Sequence, residues 1–335
     1  MSLALTLKYR PSSFSEVIGQ DHVTTPLMGA IRGKQIHHAY LFSGPRGCGK
    51  TSSARILARS LNCVNGPTDQ PCGECQSCRD LVANGPGSLD VIEMDAATHG
   101  LVDDARDLRD KALFAPVQSR YKIYIIDEAH QLGPAAANAL LKIVEEPPPY
   151  VIFIFATTEP EKVISTIRSR THHYQFHLVS NQVLSQHCQQ VLSAEGVKLT
   201  DEIIDLAVNA GSGSVRDTLS ALGQFIAASS DGKLDYERAA QLLGHTGSSE
   251  LGEIFSALAA SDLASLITAV ARVLQRGLDP RRFVQDILER VRDMTVALAT
   301  SKGSIKTLRS YSEDELVNLE REAQAVGIQQ LLFWS

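Results

Sequence analysis

The sequence predicts an α/β domain built on a parallel sheet, followed by a region that contains only helices. Four short, nearly continuous apolar runs alternate with segments of helical spacing before about residue 180, and no such run follows. Strands that are apolar on both faces are typical of parallel sheets covered by helices. The first run also ends at a glycine-rich turn that opens a helix, which is the arrangement of a phosphate-binding loop.

The predicted strands are rich in β-branched and aromatic residues, which favour extended structure. They cover residues 38–43, 90–94, 121–126 and 151–156. Helical spacing predicts helices over residues 51–61, 103–113, 134–145, 184–192, 201–209, 215–227 and 251–299. Three consecutive prolines, Pro147 to Pro149, end the helix over 134–145 because proline cannot continue a helix.

Length and composition indicate a globular protein with two or three domains. The chain has 335 residues, of which 44% are hydrophobic and 21% charged, and this excludes disorder. Its apolar runs are shorter than the roughly 18 residues that span a bilayer, and its start lacks the features of a signal peptide. We therefore expect a cytoplasmic protein. With a net charge of −6, nucleic-acid binding would require a local basic surface.

The segment from Gly44 to Thr51 matches the phosphate-loop pattern Gly-x4-Gly-Lys-Thr in full and precedes a predicted helix. Its glycines allow successive backbone N–H groups to converge on phosphates at the helix N-terminus. We expect Lys50 to reach the β- and γ-phosphates and the Thr51 hydroxyl to hold magnesium. The alternative is a glycine-rich turn that matches by chance, and the strand–loop–helix context argues against it.

An acidic pair, Asp127 and Glu128, closes the third predicted strand and is therefore expected beside the nucleotide. We expect Asp127 to bind magnesium and Glu128 to polarise the attacking water. Hydrolysis is thus favoured over nucleotide binding alone. The alternative is a solvated acidic strand end.

Four of the six cysteines, Cys63, Cys72, Cys75 and Cys78, fall within sixteen residues. This spacing fits a metal site in a reducing compartment better than a disulfide framework. Four thiolates suit a closed, structural, tetrahedral zinc site. An iron–sulfur cluster is the alternative, although the Cys-Pro pair that completes a ferredoxin run does not follow Cys78.

The phosphate loop, the cysteine module after its helix, and the sequence Asp-Glu-Ala-His at 127–130 resemble the bacterial DNA polymerase III gamma/tau family. Members of that family are the AAA+ ATPase motors of sliding-clamp loaders. Residues 8–20 resemble the family's N-terminal segment, which lies near the adenine. Residues 138–148 resemble the helix that follows the family's magnesium-binding strand, and residues 156–160 resemble its sensor 1 strand. The resemblance covers most of residues 1–245, is looser beyond, and implies ATP, Mg²⁺ and Zn²⁺ as ligands.

The motifs and the resemblance together give a set of expected site residues. The nucleotide-binding residues are Tyr9, Arg10, Val17, Ile18, Gly44, Gly47, Cys48, Gly49, Lys50, Thr51, Ser52, Thr158 and Arg216. The catalytic residues are Glu128, Lys50, Asp127 and Arg170, with Thr51 and Asp127 for magnesium and the four clustered cysteines for zinc.

The resemblance gives Arg170 its role. Residues 169–171 are similar to the family's Ser-Arg-Cys motif, whose arginine enters the ATP site of the neighbouring subunit. Thr171 replaces the usual cysteine, which leaves the arginine in place. Arg168 is a rival for the same role, and a solvated surface charge is the alternative for either arginine.

Arg216 resembles sensor 2, which reaches from the helical second domain to the same nucleotide. The alternative is a salt bridge to Asp217 or to another local acid.

Contact with DNA is expected from the resemblance, but the sequence does not clearly indicate which residues would make it. Relatives often carry basic residues where residues 98–100 of this chain have little fixed charge. Arg106, Arg109, Lys111 and Lys142 are candidates for phosphate contacts in a central channel. For each of them a solvated helix face is the alternative.

The expected organisation has three parts. Residues 1–179 form an AAA+ ATPase domain with the zinc module at about 63–78, residues 180–243 a helical lid, and residues 244–335 a helical collar for oligomerisation. Large apolar residues at 331–334 lie at the chain end, so we expect the collar to be truncated.

The resemblance implies a motor that acts in a pentamer of three such chains with delta and delta-prime subunits. ATP binding would open the β sliding clamp and capture primer–template DNA, and hydrolysis would release the closed clamp on DNA. A longer C-terminal tail would bind the polymerase and the replicative helicase, and no membrane partner is expected.

Two other functions are weighed against this one. A branch-migration helicase belongs to the same ATPase class and can carry Asp-Glu-Ala-His, but the cysteine module and Ser-Arg motif fit the clamp loader better. A non-catalytic scaffold such as the delta-prime subunit shares the fold and the cysteines, but intact Lys50, Thr51, Asp127 and Glu128 argue against it.

Overall fold

A computed structural model describes residues 3–82, 85–99, 101–229, 234–244, 246–275, 277, 279–299 and 313–334. The chain divides into two compact units. The first comprises Met1–Gln186 and Gly211–Ser220, and the second comprises His187–Ala210 and Ala221–Ser335. The predicted division into an ATPase domain, a lid and a collar stays a prediction.

The first unit contains a five-stranded sheet in which every pairing is parallel, so the predicted fold class is confirmed. Its strands are β1 Ala39–Ser43, β2 Val91–Asp95, β3 Lys122–Asp127, β4 Val151–Thr157 and β5 His172–Gln175. Their spatial order is β2-β3-β4-β1-β5. Because β4 lies between β1 and β3, the segments that follow these three strands meet at one edge of the sheet.

Four of these strands match predicted ones to within one residue at either end, whereas β5 is not predicted from the sequence. Three of its four side chains, His172, His173 and Gln175, are exposed, so the strand has no apolar run. It pairs with β1 at the edge of the sheet, where one face stays open to solvent.

Helices cover both faces of this sheet. Those that lie wholly within the first unit are α1 Leu5–Lys8, α2 Asp21–Arg32, α3 Lys50–Asn62, α4 Gln76–Asp80, α5 Ala96–His99, α6 Val102–Ala112, α7 Pro134–Glu145 and α8 Ser165–Arg168. Ile125 and Ile154 point to the face covered by α2 and α3. Their strand neighbours Ile126 and Phe155 point to the face covered by α6 and α7. This two-residue alternation, with both faces buried, explains why the strands are continuously apolar.

Helices are the only regular secondary structure in the described residues of the second unit. The helices from residue 181 onward are α9 Asn181–Glu195, α10 Asp201–Gly211, α11 Val215–Ala228, α12 Tyr236–Leu242, α13 Ser248–Ala259, α14 Leu263–Gln275, α15 Pro280–Ala299, α16 Glu313–Val326 and α17 Ile328–Trp334. The predicted helical stretch over 251–299 divides into α13, α14 and α15. Left-handed backbone at Ser261 and Gly277 lies in the two breaks.

The core of the second unit includes Phe255, Met294, Leu319 and Leu331, with Trp334 packed against it. Residues Leu332 and Phe333 of the same terminal helix are exposed. No helix in the described part of the chain combines the length and the apolar character that crossing a membrane requires.

Candidate nucleotide site and cysteine cluster

The phosphate loop connects the end of β1 to the start of α3. Gly47 and Gly49 have φ values of 76° and 98°, a region that favours glycine. Gly49 immediately precedes the first helical residue, Lys50, so the N–H groups of the first turn of α3 face the loop. A Cβ on Gly47 would also overlap the hydroxyl of Ser214, so this position has room for glycine only.

Lys50 and Thr51 lie at the N-terminus of α3. The Lys50 ammonium donates to the carbonyl oxygens of Gly44 and Pro45, each at 2.8 Å. Burial lowers the pKa of Lys50, and the nearby Asp127 carboxylate opposes this shift. The Thr51 hydroxyl donates to Oδ2 of Asp127 at 2.7 Å, which joins the phosphate loop to the end of β3.

Glu128 follows Asp127 in left-handed backbone, with φ 48° and ψ 44°. Its N–H donates to Oδ1 of Asp127 at 2.9 Å. Its carboxylate accepts from the Thr158 hydroxyl at 3.4 Å. Left-handed backbone in a residue other than glycine costs on the order of 1–3 kcal/mol and occurs preferentially at functional sites. Here it turns Glu128 toward the segment after β4.

His130 and Thr157 also belong to this cluster, and the sequence reasoning gave neither a role. His130 Nδ1 lies 2.9 Å from the Thr157 hydroxyl and 3.5 Å from a carboxylate oxygen of Glu128. Thr157 is fully buried and also accepts a hydrogen bond from the backbone N–H of Glu159. Two features of the sequence could have indicated them: His130 closes Asp-Glu-Ala-His, and Thr157 ends an apolar strand.

The N-terminal segment lies beside the phosphate loop. Arg10 Nε donates to the Ser52 hydroxyl on α3 at 3.0 Å. Burial lowers the pKa of Arg10, as does the positive charge of Arg55 and Arg216 nearby. Val17 is buried against the loop, with its Cγ1 3.8 Å from where a Cβ on Gly49 would lie.

The remaining expected residues near the loop are Tyr9, Ile18 and Cys48. Tyr9 and Ile18 are half-buried. Cys48 is buried in the core below the loop, and this burial raises the pKa of its thiol. A nucleotide contact from Cys48 would therefore come from its backbone.

Arg216 lies in the first turn of α11, against the phosphate loop. Its backbone N–H donates to the Gly47 carbonyl at 3.4 Å. Among the described residues, no carboxylate lies within ion-pair distance of Arg216, so the salt bridge to Asp217 is not observed. The structure thus brings Arg216 close to Arg10 and the loop, and its sensor 2 role stays a prediction.

Arg170 is not part of this cluster. Its Nη2 lies 2.9 Å from Oε1 of Glu145, and its Nη1 donates to the Thr166 carbonyl at 3.0 Å and to the Ser169 hydroxyl at 3.3 Å. The rival Arg168 donates instead to the Pro160 carbonyl. Both arginines are exposed, and they hold different partners.

The candidate DNA contacts are two arginines paired with neighbouring aspartates and two exposed lysines. Arg106 pairs with Asp103 at 3.2 Å, and Arg109 pairs with Asp110 at 2.8 Å. These exposed pairs are weak, so they hold the arginines only loosely. Lys111 on the same helix is exposed, as is Lys142 on α7.

The four clustered cysteines converge at the end of α3, with all four sulfur atoms within 4.8 Å of one another. Cys72 Sγ and Cys78 Sγ are 3.9 Å apart. A tetrahedral zinc ion with Zn–S bonds of about 2.3 Å places its sulfurs about 3.8 Å apart. The cluster is therefore compatible with a single tetrahedral ion, whereas a four-iron cluster needs its ligands further apart.

The protein environment of the cysteines differs between the two ends of the cluster. Backbone N–H groups of Cys75 and Glu74 lower the pKa of the Cys72 thiol to about 6. Burial raises the pKa of the Cys78 thiol to about 12. A divalent metal deprotonates a coordinating thiol outright, so the buried member is available as a ligand once an ion binds.

Three family models match successive parts of the chain. A DNA polymerase III delta subunit model matches residues 19–180, a clamp loader subunit ATPase lid domain model matches 183–231, and a model of domain III of DNA polymerase III subunits gamma and tau matches 234–335. The gamma/tau subunit of Mycobacterium tuberculosis is 54% identical over 325 residues, which is 97% of this chain and 56% of the relative. The chain belongs to the DNA polymerase III gamma/tau family.

Other relatives agree with this membership. The tau subunit of Bacillus subtilis is 40% identical over 93% of this chain and 55% of the relative, and that of Escherichia coli is 39% identical over 85% of this chain and 44% of the relative. The chain thus spans about half the length of these three relatives.

Solved structures identify the same fold. The Thermotoga maritima RuvB Holliday junction branch migration motor superposes with a TM-score of 0.52 at 17% identity, covering 84% of this chain and 91% of that chain. At this identity the likeness shows the AAA+ fold alone. It therefore does not favour the branch-migration alternative over the gamma/tau family.

Proposed function

We propose that the chain is the ATP-hydrolysing motor subunit of a bacterial replicative clamp loader. The proposal rests on the 2.7 Å hydrogen bond between Thr51 and Asp127. This bond lies at the edge of the sheet where the Glu128 carboxylate accepts from the Thr158 hydroxyl. A phosphate-binding loop, an acidic pair and a polar sensor thus converge at one place in the chain. Such a cluster can bind a nucleoside triphosphate and direct water to its γ-phosphate.

Binding rests on the phosphate loop and its neighbours. The N–H groups between Gly44 and Thr51 and the Lys50 ammonium hold the phosphates, while Arg10 and Val17 line the N-terminal side. Arg216 adds a positive charge from the start of α11. Because the positive charge of Arg216 contributes to the lowered pKa of Arg10, a polyanion between the two guanidinium groups relieves a repulsion.

The magnesium site fits the residues present. The Thr51 hydroxyl and the Asp127 carboxylate offer oxygen ligands 2.7 Å apart, and magnesium prefers oxygen. Magnesium, when bound, neutralises charge on the phosphate oxygens. Glu128 is the group that orients and deprotonates the attacking water, and Thr158 holds its carboxylate from the segment after β4.

Hydrolysis in this proposal requires a second subunit. Arg170 lies outside the phosphate cluster of its own chain and is 40% exposed, so it is available to a neighbouring ATP site. A guanidinium offered in trans stabilises the charge on the transferring phosphoryl group and makes turnover depend on assembly.

We assign zinc to the cysteine cluster as a structural ion. The support is the sulfur spacing, the four-thiolate donor set, and the lack of a histidine or carboxylate ligand among the described residues around it. Such a site lies in a reducing compartment, which agrees with a cytoplasmic location.

The proposed partners are the delta and delta-prime subunits, further copies of this chain, the β sliding clamp and primer–template DNA. ATP binding favours clamp opening and capture of the primer junction, and hydrolysis releases the closed clamp. Polymerase and replicative helicase are further proposed partners, through a C-terminal tail.

The test is steady-state ATP hydrolysis by this chain mixed with delta and delta-prime subunits. We expect strong stimulation only when both β clamp and primed DNA are present. Turnover that ignores the clamp and rises with DNA alone would instead support a DNA motor, and a chain unable to bind ATP would support a scaffold.

Two variants separate binding from catalysis in this assay. Lys50→Ala is expected to abolish nucleotide binding because it removes the buried ammonium of the loop. Arg170→Ala is expected to preserve binding and to remove turnover of the assembled complex. Unchanged turnover in assembled Arg170→Ala would rule out its role in trans.

A further inference from the structure

Arg59 lies on α3, the helix that begins at Lys50 and leads to Cys63. Only 8% of the residue is exposed. Within the described parts of the chain, no carboxylate lies within ion-pair distance of its guanidinium. Its Nε is buried without a hydrogen-bond partner. A buried charge in this condition is costly unless another charged group compensates for it.

Two sources of negative charge lie near Arg59: the Glu16 carboxylate, whose pKa it helps to lower, and the cysteine cluster. Arg59 Nη2 lies 3.6 Å from where a Cβ on Gly73 would be, in the turn between Cys72 and Cys75. The Arg59 side chain also interacts with the thiol of Cys78. Four thiolates around one divalent ion carry a net charge of −2. The guanidinium is therefore placed to balance a metal–thiolate centre.

The other side of the same guanidinium holds the N-terminal segment. Arg59 Nη1 donates to the Ser12 carbonyl at 2.8 Å. Ser12 also donates from its N–H to the Glu16 carboxylate at 2.8 Å, which closes a short turn. Arg10 lies two residues before this turn, and Val17 immediately follows it. Arg59 thus fixes the turn that carries two of the proposed nucleotide contacts.

We propose that Arg59 couples the metal on the cysteine cluster to nucleotide affinity. The metal–thiolate centre fixes the guanidinium, the guanidinium holds Ser12, and Ser12 keeps Arg10 and Val17 on the phosphate loop. The inference rests on the proposed function only in requiring that the chain bind ATP. It assigns Arg59 a positioning role, since Arg59 itself is not among the proposed nucleotide contacts.

Coupling of this kind is reciprocal. If the metal raises the affinity for nucleotide by some factor, nucleotide must raise the affinity for the metal by the same factor. Typical coupling between two sites spans about 5- to 150-fold. We expect the lower part of this range, because the link acts through one hydrogen bond to a backbone carbonyl.

The first experiment measures nucleotide affinity of the chain with and without its metal. The metal is removed with a thiol-directed reagent and a chelator, magnesium is restored in excess, and binding of a non-hydrolysable ATP analogue is followed by calorimetry. We expect removal to weaken binding about five-fold or more. Equal affinity in the two forms overturns the inference, whereas failure of the metal-loaded chain to bind at all overturns the proposed function.

A second measurement starts from the metal-loaded chain. It therefore does not depend on whether the metal-free chain folds. Zinc loss from the loaded chain to a competing chelator is followed with and without the ATP analogue. We expect the analogue to strengthen zinc retention by the factor found in the first experiment. Retention that the analogue leaves unchanged overturns the inference.

Substitutions of Arg59 test its role separately from that of the metal. Arg59→Gln is expected to bind the analogue with the weakened affinity of the stripped chain, whether or not zinc is present, and to hold zinc about 10- to 100-fold less tightly, as for the loss of other groups around metal ligands. Arg59→Lys keeps the charge and is expected to restore part of both properties.

The matched control is Arg32→Gln. Arg32 is exposed and pairs with Asp69 of the cysteine module at 2.5 Å, but it contacts neither the cluster nor the N-terminal turn. We expect this variant to keep the full effect of zinc on nucleotide affinity. If Arg32→Gln and Arg59→Gln lose the effect equally, the role belongs to the module as a whole, and the inference about Arg59 is wrong.

Discussion

Arg170 and Glu145 form an ion pair in which Nη2 lies 2.9 Å from Oε1. Glu145 is the last residue of α7, and that helix begins at Pro134, shortly after the turn that carries Glu128. One helix therefore links the acidic pair of a chain's own phosphate site to the arginine proposed for its neighbour's site. Together with the hydrogen bonds to the Thr166 carbonyl and the Ser169 hydroxyl, the ion pair fixes the direction of this exposed side chain.

Replacing Glu145 with glutamine is expected to lower ATP turnover of the assembled complex about two- to five-fold. Such a loss corresponds to an exposed ion pair of up to about 1 kcal/mol. The affinity for ATP should not change, because Arg170 does not contact the nucleotide of its own chain. The measurement is kcat and KM of the complex for wild type, Glu145→Gln and the adjacent control Glu146→Gln.

A double variant tests whether Glu145 acts through Arg170. On an Arg170→Ala background, Glu145→Gln should have no further effect on turnover, because its partner is gone. An equal loss on both backgrounds would show that Glu145 acts by another route.

Glu128→Gln is expected to bind ATP as the wild type does and to lose at least about 100-fold in hydrolysis. General base catalysis contributes about 10²- to 10⁴-fold, and an amide cannot accept the proton. The backbone N–H bond to Asp127 does not depend on the side chain, so the left-handed turn should persist. Single-turnover hydrolysis beside equilibrium binding checks this, and weakened binding would contradict it.

Asp90 offers a stability prediction that depends on pH. Its buried carboxylate accepts backbone N–H bonds from Val117, Gln118 and Ser119 at 2.7–2.8 Å. Burial alone would raise its pKa, but these three donors outweigh burial and lower it. Asp90→Asn is expected to cost about 1–3 kcal/mol at neutral pH, because an amide cannot accept all three bonds.

The sign of this pH dependence follows from the lowered pKa. The stabilisation is complete above the unfolded-state pKa of about 3.9 and is lost as pH falls from there through the lower folded-state value. Urea unfolding of both proteins, followed by far-UV circular dichroism from pH 7 downward, should show the difference shrinking only below about pH 4. A difference that shrinks between pH 7 and 5 would contradict the assignment to Asp90.

In the second unit, the buried Arg290 and the partly buried Glu322 form an ion pair at 2.8 Å. Arg290→Met leaves the Glu322 carboxylate without its partner and is expected to cost about 3–5 kcal/mol. Trp334, the single tryptophan, packs against the core of the same unit, so its fluorescence reports unfolding there. Adding Glu322→Leu should recover most of the loss, and failure to recover would mean that the methionine itself does not fit.

Much of the nucleotide site follows from the sequence because its motifs are local. The phosphate loop needs glycines and a following helix, and the acidic pair needs only a strand end, so short segments carry both. Arg59 and Glu145 escape sequence reasoning because an arginine or glutamate on a helix reads as a solvated charge. The burial of Arg59 and the partner of Glu145 depend on segments far away in the chain.

The sequence by itself determined the parallel α/β fold, four of its strands, the phosphate loop and the cysteine cluster, since each is encoded by spacing within a few dozen residues. The tertiary structure alone decided the strand order, which puts β4 between β1 and β3 and so brings Thr158 to Glu128. It also decided that β5 exists and that Arg216 lies on the phosphate loop. These features depend on which distant segments pack together, and local periodicity carries no information about that choice.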